Sequence, residues 1–140
     1  MNHLDPGYVR FTAGPNIAQS DRIHVTLNQK GRLRLNANAF RLLGAPRSVV
    51  LFYDPNKKKI AVSPCHPQLA DAFPVKIQAK DAGTRIIFAA SLCRHFRIDL
   101  DTTERFIDPD IDSHGVLHLD LTRTVTVGGH KRRPKKDLRK

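Results

Sequence analysis

The sequence predicts a small, mostly β protein with short helices, built from two tandem ββαββ-like halves. Three observations predict this fold class. Apolar and polar residues alternate with a period of two in several short runs, turn-forming Asn, Asp, Gly and Pro residues separate the runs, and the order strand, strand, short helix, strand, strand occurs twice. A chain of 140 residues, 40% of them hydrophobic, can bury a core of this size.

The first half begins with a predicted β-hairpin. Apolar residues alternate with polar ones over residues 23–27, and Leu33 and Leu35 alternate with Arg32 and Arg34. The connection between the two runs ends in Gly, which tolerates the positive φ of a tight hairpin turn. We therefore predict two antiparallel strands with both arginines on one face of the second strand.

A short helix and a second hairpin are predicted next. Asn36 is a suitable N-cap, residues 37–43 can form two helical turns, and Gly44 can adopt the left-handed conformation that ends a helix. Residues 48–53 and 59–63 have the composition of strands on either side of an Asp-Pro turn. Because so short a helix has little stability alone, we expect it to pack on a sheet.

The second half repeats this order with low sequence identity. Residues 75–79 and 84–88 have strand patterns, residues 89–96 form the predicted helix, and residues 103–108 and 116–121 form the predicted closing hairpin. The alternative is a chance similarity between two generic ββαββ units. The corresponding landmarks are Gly31 and Gly83, residues 37–43 and 90–96, and the dipeptides Asp54-Pro55 and Asp108-Pro109.

These patterns divide the chain into five segments. We assign residues 1–20 to an N-terminal arm, 21–64 to the first half, 65–74 to a linker, 75–122 to the second half and 123–140 to a basic C-terminal tail. The last 13 residues carry seven Lys or Arg and one Asp, which is +6 of the formal net charge of +11. Such a segment buries too little apolar surface to fold alone, and we expect it to contact a polyanion.

The composition indicates a nucleic-acid partner. The chain has 24 Lys and Arg against 13 Asp and Glu, which favours binding to a polyanion. An aromatic content of 6% without Trp disfavours binding by base stacking, so we expect double-stranded rather than single-stranded DNA. The N-terminus lacks the apolar segment of a signal peptide, and no apolar run approaches the roughly 20 residues that span a bilayer. We therefore expect a cytoplasmic, nucleoid-associated protein with no membrane partner.

The candidates for metal binding or catalysis are weak. Cys65 and Cys93 each lie near a His but lack the closely spaced second Cys of a zinc motif; we expect reduced thiols, with a disulfide as the alternative. The acidic residues 108–115 lack the Gly and Glu positions of an EF-hand loop, and no nucleophile elbow, P-loop or zinc-protease motif occurs. We expect no enzymatic activity, no metal and no cofactor.

A polar turn ending in Gly31-Arg32, a short helix containing Arg41, and a helix end at Leu43-Gly44 follow one another in the first half. In this order they resemble the AbrB/MraZ/MazE (SpoVT-AbrB-like) superfamily of swapped-hairpin DNA-binding domains. The resemblance covers residues 23–63 well and residues 75–121 weakly. It implies a small swapped-hairpin β-barrel, formed by the two halves as an internal pseudo-dimer or by exchange with other chains in a homo-oligomer.

The resemblance also implies a function, which is sequence-selective binding of double-stranded DNA by a prokaryotic transcriptional regulator or DNA-binding antitoxin. The alternative is a β-barrel protein-interaction or oligomerisation module, with a protein partner on the acidic second half and nucleic acid held only by the tail. The implied DNA-binding residues are Lys30, Arg32, Arg34 and Arg41 in the first half and Lys80, Arg85 and Arg94 in the second, and the residues of the non-specific tail are Lys131, Arg132, Arg133, Lys135 and Lys136.

The residues alone support part of this surface. Arg32 and Arg34 lie two apart on one predicted strand and therefore share a face. Guanidinium groups so placed can bind phosphates or the O6 and N7 atoms of guanine. The alternative interpretation is a solvated strand face whose charges protect the sheet from edge pairing.

Overall fold

The structure is a computed structural model, and it describes residues 6–9, 22–78 and 80–127. Over these residues the chain forms two antiparallel sheets and two short helices, which confirms the mostly β fold class. Most of the predicted arm and residues 128–140 of the predicted tail lie outside the described residues. The elements are β1 (Val25–Leu27), β2 (Arg32–Leu35), α1 (Ala37–Leu42), β3 (Ser48–Asp54), β4 (Lys59–Pro64), β5 (Phe73–Pro74), β6 (Lys76–Gln78), β7 (Asp81–Phe88), α2 (Ala90–Phe96), β8 (Glu104–Phe106), β9 (Asp110–Ile111), β10 (Leu117–Asp120) and β11 (Thr124–Thr126).

Turn and cap residues organise the first half as predicted. The Asn28 Oδ1 atom accepts hydrogen bonds from the backbone N–H groups of Lys30 (3.0 Å) and Arg32 (2.9 Å), which closes the β1–β2 turn. Asn36 is the N-cap of α1, because its Oδ1 atom accepts from the Ala39 N–H at 2.9 Å. These contacts hold β1, β2 and α1 in one compact unit.

The sheets interlock the two halves of the chain. The larger sheet has the strand order β11-β8-β1-β2-β7-β6, and the smaller sheet has the order β5-β3-β4-β10-β9. The β1–β2 hairpin of the first half therefore lies between β8 and β7 of the second half. In the smaller sheet, β4 of the first half pairs with β10 of the second. Each half thus completes the sheets of the other.

The described strands do not close into the expected barrel. The larger sheet ends in β11 and β6, and the smaller one ends in β5 and β9. Each of these edge strands has only two or three residues. Such short edges offer too few backbone groups to continue the hydrogen-bonded ladder around the core. The barrel expectation is therefore wrong, and the two sheets pack as open layers.

The predicted closing hairpin of the second half is also wrong. β8 pairs with β1 and β11, whereas β10 pairs with β4 and with the two-residue β9. Pro109 lies between β8 and β9, and it has no N–H group with which to continue a ladder. The chain therefore leaves one sheet after β8 and enters the other at β9.

Alternating side chains build the core between the sheets. Leu33 and Leu35 of β2 are buried, and Ile87 of β7 is buried beside them. Ala39 and Leu43 carry the first helix segment onto the same core. The other buried members are Val25, Leu27, Val49, Ile60, Val62, Ala89, Leu92, Phe106, Leu117 and Leu119.

Two sheet strands lie in segments that the sequence analysis assigned elsewhere. β5 (Phe73–Pro74) lies in the predicted linker and pairs with β3. β11 (Thr124–Thr126) lies in the predicted tail and pairs with β8. Of the two described helices, neither has the length and apolar character needed to cross a membrane.

Candidate nucleic-acid interface

Arg32 and Arg34 lie on the outer face of the larger sheet. Both side chains are exposed, whereas their neighbours Leu33 and Leu35 on β2 are buried in the core. The hydrogen bond from the Arg32 N–H to the Asn28 side chain fixes the residue at which β2 starts. The alternation of side chains along β2 then directs both arginines outward. The predicted pairing of these two side chains on one exposed face is therefore observed.

A row of cross-strand partners crosses this outer face through Arg34. Arg105 of β8 is the partner of Thr26 on β1, and Thr26 is the partner of Arg34. On the other side, Arg34 is the partner of Ile86 on β7, and Ile86 is the partner of Lys76 on β6. Directly opposed residues of antiparallel strands share a face. The row therefore aligns three cations across five strands.

We call Arg32, Arg34, Arg105 and Lys76 the cationic face. All four side chains are exposed. Among the described side chains that β8, β1, β2 and β7 direct to this face, none is a carboxylate. Because the positive charges of these four side chains repel one another, the cationic face favours an anionic ligand.

Sequence reasoning missed Arg105 and Lys76. Arg105 reaches the face only because β8 pairs with β1, which lies far away in the sequence. Lys76 belongs to a predicted strand, but its face depends on the pairing with β7, which contains an irregularity between Ile77 and Gln78. For Lys76, the alternation with apolar neighbours was a signal in the sequence. For Arg105, the sequence contains no comparable signal.

His24 lies close to the cationic face. Burial, followed by the positive charges of Arg105 and Arg22, lowers the pKa of His24 below its ordinary value of 6.5. Its Nε2 atom is buried and accepts or donates no hydrogen bond within the described part of the chain. The imidazole therefore stays neutral more readily than a free histidine, and the face keeps its charge on guanidinium and ammonium groups.

A groove runs along the β7 side of the cationic face. The Arg32 guanidinium carbon lies 5.4 Å from the centroid of the Phe88 ring. Beside this stacked pair, the groove has a volume of about 380 Å³. It brings the predicted residue Lys80, in the β6–β7 turn, together with the β2 arginines. The lining residues are Arg32, Arg34, Ile77, Gln78, Lys80, Ile86 and Phe88.

Arg85 does not belong to the cationic face, which corrects the expectation from the resemblance. It is the cross-strand partner of the buried Leu35, so it points to the core side of the larger sheet. There its guanidinium carbon lies 4.3 Å from the centroid of the Phe40 ring on α1. Arg85 therefore stacks on the helix and has a structural contact instead of an outward position.

The other predicted residues in the described part of the chain lie at two further places. Lys30, in the β1–β2 turn, and Arg94, on α2, border a common pocket and are both exposed. Arg41 is exposed on α1 and donates to the Asn38 Oδ1 atom. Since α1 stacks against the inward-facing Arg85, Arg41 lies on the opposite side of the sheet from Arg32 and Arg34. The predicted tail residues Lys131, Arg132, Arg133, Lys135 and Lys136 lie outside the described residues.

The acidic segment of the second half is engaged in its own turn. The His118 ring Nε2 lies 2.7 Å from Asp112 Oδ2, and Asp112 Oδ1 accepts from the backbone N–H groups of Val116 and His114. These hydrogen bonds, that of His118 first, lower the pKa of Asp112 to about 2. In the described ranges, no three or more His, Cys, Asp and Glu side chains gather as a metal site. The Asp112 carboxylate therefore stabilises the turn between β9 and β10.

Both cysteines are free thiols in the structure. Burial, followed by the negative charge of Asp99, raises the pKa of the Cys93 thiol. A raised pKa disfavours the thiolate, which is the nucleophile and the metal ligand. Cys93 therefore serves as a packing residue of α2, where it contacts the core.

No protein-family model, no curated protein and no solved structure matches this chain. The resemblance to the AbrB/MraZ/MazE superfamily stays a hypothesis based on the motif residues.

Proposed function

We propose that the protein binds double-stranded DNA selectively through the cationic face, as a prokaryotic transcriptional regulator or DNA-binding antitoxin of the cytoplasm. The observation that carries the proposal is the cross-strand row that aligns Arg105, Arg34 and Lys76, with Arg32 beside Arg34 on β2. Arginine binds guanine O6 and N7 in a bidentate manner, and both Arg and Lys bind phosphates.

The dimensions of the face fit a duplex. Neighbouring strands lie about 4.8 Å apart, so Arg105 on β8 and Lys76 on β6, four strand spacings apart, carry their backbones about 19 Å from each other. The major groove of B-DNA is about 12 Å wide and admits a two-stranded ribbon. In the proposed complex the side chains of β2 and β7 reach into this groove, while the two outer cations contact the phosphates that flank it.

We further propose that the two halves form an internal pseudo-dimer of swapped hairpins. The supporting observation is the pairing of corresponding strands: β2 pairs with its counterpart β7 in the larger sheet, and β4 pairs with its counterpart β10 in the smaller one. One chain then completes its own sheets. Light scattering should give a mass near 15.8 kDa, whereas hairpin exchange between chains would double it.

A charge-matched comparison tests the proposed DNA-binding face. Duplexes are selected from a random pool, and the chain carrying Arg32→Ala and Arg34→Ala is compared with one carrying Lys57→Ala and Lys58→Ala in the β3–β4 turn. Two lost bidentate contacts are expected to reduce the ratio of specific to non-specific affinity at least about thirtyfold. The lysine variant should keep the selected sequence. Equal effects in both variants would contradict a role for the cationic face in selectivity.

The alternative function is a protein-interaction module with DNA held only by the tail. A pocket beside the smaller sheet favours it, because three carboxylates, those of Asp108, Asp110 and Asp120, line this pocket. The other lining residues are Lys59, His118, Leu119 and Arg123. Deleting residues 128–140 separates the two functions. Selective duplex binding by the shortened chain supports the regulator, and loss of all DNA affinity supports the interaction module.

A further inference from the structure

The outer face of the central strand pair has two chemically different halves. β2 contributes Arg32 and Arg34, and their direct partners on β7 are Phe88 and Ile86. Ile86 is only 9% exposed, yet it lies outside the core cluster, because it faces the groove on the outer side of the sheet. Guanidinium groups therefore line one edge of the β2–β7 ribbon, and hydrocarbon lines the other.

The apolar edge remains open to a ligand. Phe88 is 50% exposed and Ile77 is 64% exposed, and both line the groove that also contains Arg32 and Arg34. Ile77 borders the groove although Arg85 is its register partner, because it lies on the edge strand at the irregularity of the β6–β7 pairing. Single exposed apolar residues are common on protein surfaces, but here two large ones share a concave site with cations. Apolar side chains in such a position contact the C5-methyl group of thymine in the major groove.

Gln78 adds a polar group of matching chemistry to the same groove. Its Oε1 atom is buried and has no hydrogen-bond partner in the part of the chain that the structure describes. A glutamine amide pairs with adenine N6 and N7. Adenine and the thymine methyl group belong to one base pair. Gln78 can therefore contact the adenine, and Ile77 and Phe88 the thymine methyl group, of the same A·T base pair.

The asymmetry has a direct consequence in the proposed pseudo-dimer. Gly31 and Gly83 correspond in the two halves, which makes Ile86 the counterpart of Arg34. These counterparts are also direct cross-strand partners, so the pseudo-two-fold axis passes beside them. A symmetric binding surface would place Arg beside Arg at this axis, whereas this chain places Arg beside Ile.

We propose that the cationic face recognises a non-palindromic duplex site, with guanines read by Arg32 and Arg34 and an adjacent A·T step read by Ile77, Phe88 and Gln78. The inference rests on the proposed DNA-binding function and specifies its target. It separates the roles of the two strands: β2 reads hydrogen-bond acceptors, and β7 with β6 reads a methyl group and an adenine edge.

Base analogues test this assignment with the full-length protein. The site selected from the random duplex pool is resynthesised with 2′-deoxyuridine for thymine, which removes only the C5-methyl group, or with 7-deazaguanine for guanine, which removes N7. One methyl group contributes about 0.8 kcal/mol when buried, so the uracil duplex should bind about fourfold more weakly. The deazaguanine duplex should lose more, because it loses part of a bidentate contact.

Matched variants assign each loss to a side chain. The two single variants Ile77→Ala and Phe88→Leu should each bind the thymine and uracil duplexes with equal affinity. Both should still bind the 7-deazaguanine duplex more weakly than the guanine duplex. Phe52→Ala is the control, because Phe52 is 57% exposed on the smaller sheet, away from the groove. This variant should keep both effects. Thermal unfolding establishes that all three variants are folded.

Three outcomes would overturn the inference. A palindromic selected sequence, equal affinity for thymine and uracil duplexes, or a thymine preference that persists in Ile77→Ala and Phe88→Leu would each contradict asymmetric reading, while selective binding itself would still support the proposed function. Absence of selective duplex binding by the wild-type protein would overturn both.

Discussion

The guanidinium carbon of Arg32 lies 5.4 Å from the centroid of the Phe88 ring, and the two residues are direct cross-strand partners in β2 and β7. This contact joins the first half of the chain to the second on the outer face of the larger sheet. At exposed positions a cation–π contact contributes about 0.5–1 kcal/mol. It also orders the guanidinium before a ligand binds, which reduces the entropy lost on binding.

Arg105 is expected to contact a phosphate and so to contribute to the salt dependence of DNA binding. In Arg105→Gln, the slope of log K against log salt concentration should become shallower by about 0.9, the value for one phosphate contact. Fluorescence anisotropy titrations over a series of salt concentrations measure this slope. Arg123→Gln is the charge-matched control, since Arg123 pairs with Asp108 at 2.6 Å. Equal changes in both variants would show that only net charge matters.

Arg85 is expected to stabilise the fold without reading DNA. Its guanidinium stacks 4.3 Å from the Phe40 ring centroid, on the core side of the larger sheet. Arg85→Ala should lower the free energy of unfolding in urea by about 1 kcal/mol, through the lost cation–π contact and side-chain packing. The salt slope and the selected DNA sequence should not change. A shallower slope would instead restore Arg85 to the DNA-binding surface.

Gly31 is required because of both its conformation and its close neighbours. It has φ of +79°, and a Cβ atom there would lie 2.6 Å from the Cα atom of Ala90 at the start of α2. Gly31→Ala should lower the free energy of unfolding by at least about 2 kcal/mol, since backbone strain and overpacking add.

Gly115 supplies the matched control for this substitution. Its φ of +80° is nearly the same, and among the described residues no atom beyond its two chain neighbours lies within 4 Å of the position that a Cβ would take. Gly115→Ala therefore measures the strain alone, about 1–2 kcal/mol. Both variants are compared by urea unfolding, and equal losses would contradict the clash with α2.

His24 is expected to make stability depend on pH. Its pKa in the folded protein is lowered from the ordinary value of 6.5, by burial first and then by the positive charges of Arg105 and Arg22. Above pH 6.5 both the folded and the unfolded chain hold a neutral imidazole. As the pH falls below this value the unfolded chain binds the proton first, so the free energy of unfolding decreases until the pH has passed the folded pKa.

The free energy of unfolding in urea is measured at a series of pH values from about 7.5 to about 5, a range that includes the ordinary His pKa. The His24→Gln variant should have a flatter profile than the wild-type protein over this range. His66→Gln, at an exposed position in the loop after β4, serves as the control and should keep the wild-type profile. An unchanged profile in His24→Gln would contradict the role of His24.

Local features of the fold were predictable from the sequence. The β1–β2 turn follows from Asn28 and Gly31, and the start of α1 follows from Asn36. The hydrogen bonds that define the turn and the cap join the Asn28 and Asn36 side chains to N–H groups no more than four residues away. Alternation along β2 likewise places Arg32 and Arg34 opposite Leu33 and Leu35. These features depend on backbone geometry and neighbouring residues alone.

Features that depend on pairing between distant strands were not predictable in this way. The alignment of Gly83 with Gly31 left the face of Arg85 undetermined; its register opposite Leu35 turns it inward. Arg105 joins the cationic face only through the pairing of β8 with β1, and the second half does not form its expected hairpin because β8 pairs with β1 and β11 while β10 pairs with β4 and β9. A one-residue change in register reverses every side chain of a strand, so faces require the actual partner.

The sequence by itself determined the mostly β fold class, the first hairpin with its capped helix, and the exposed arginine pair of β2. Only the tertiary structure decided that the sheets stay open, that Arg105 and Lys76 extend the row through Arg34, and that Phe88 and Ile86 form its apolar side. The physical reason is the range of the interactions. Turns, caps and alternation are set by neighbours in the chain, whereas strand order and register are set by which buried faces can pack together.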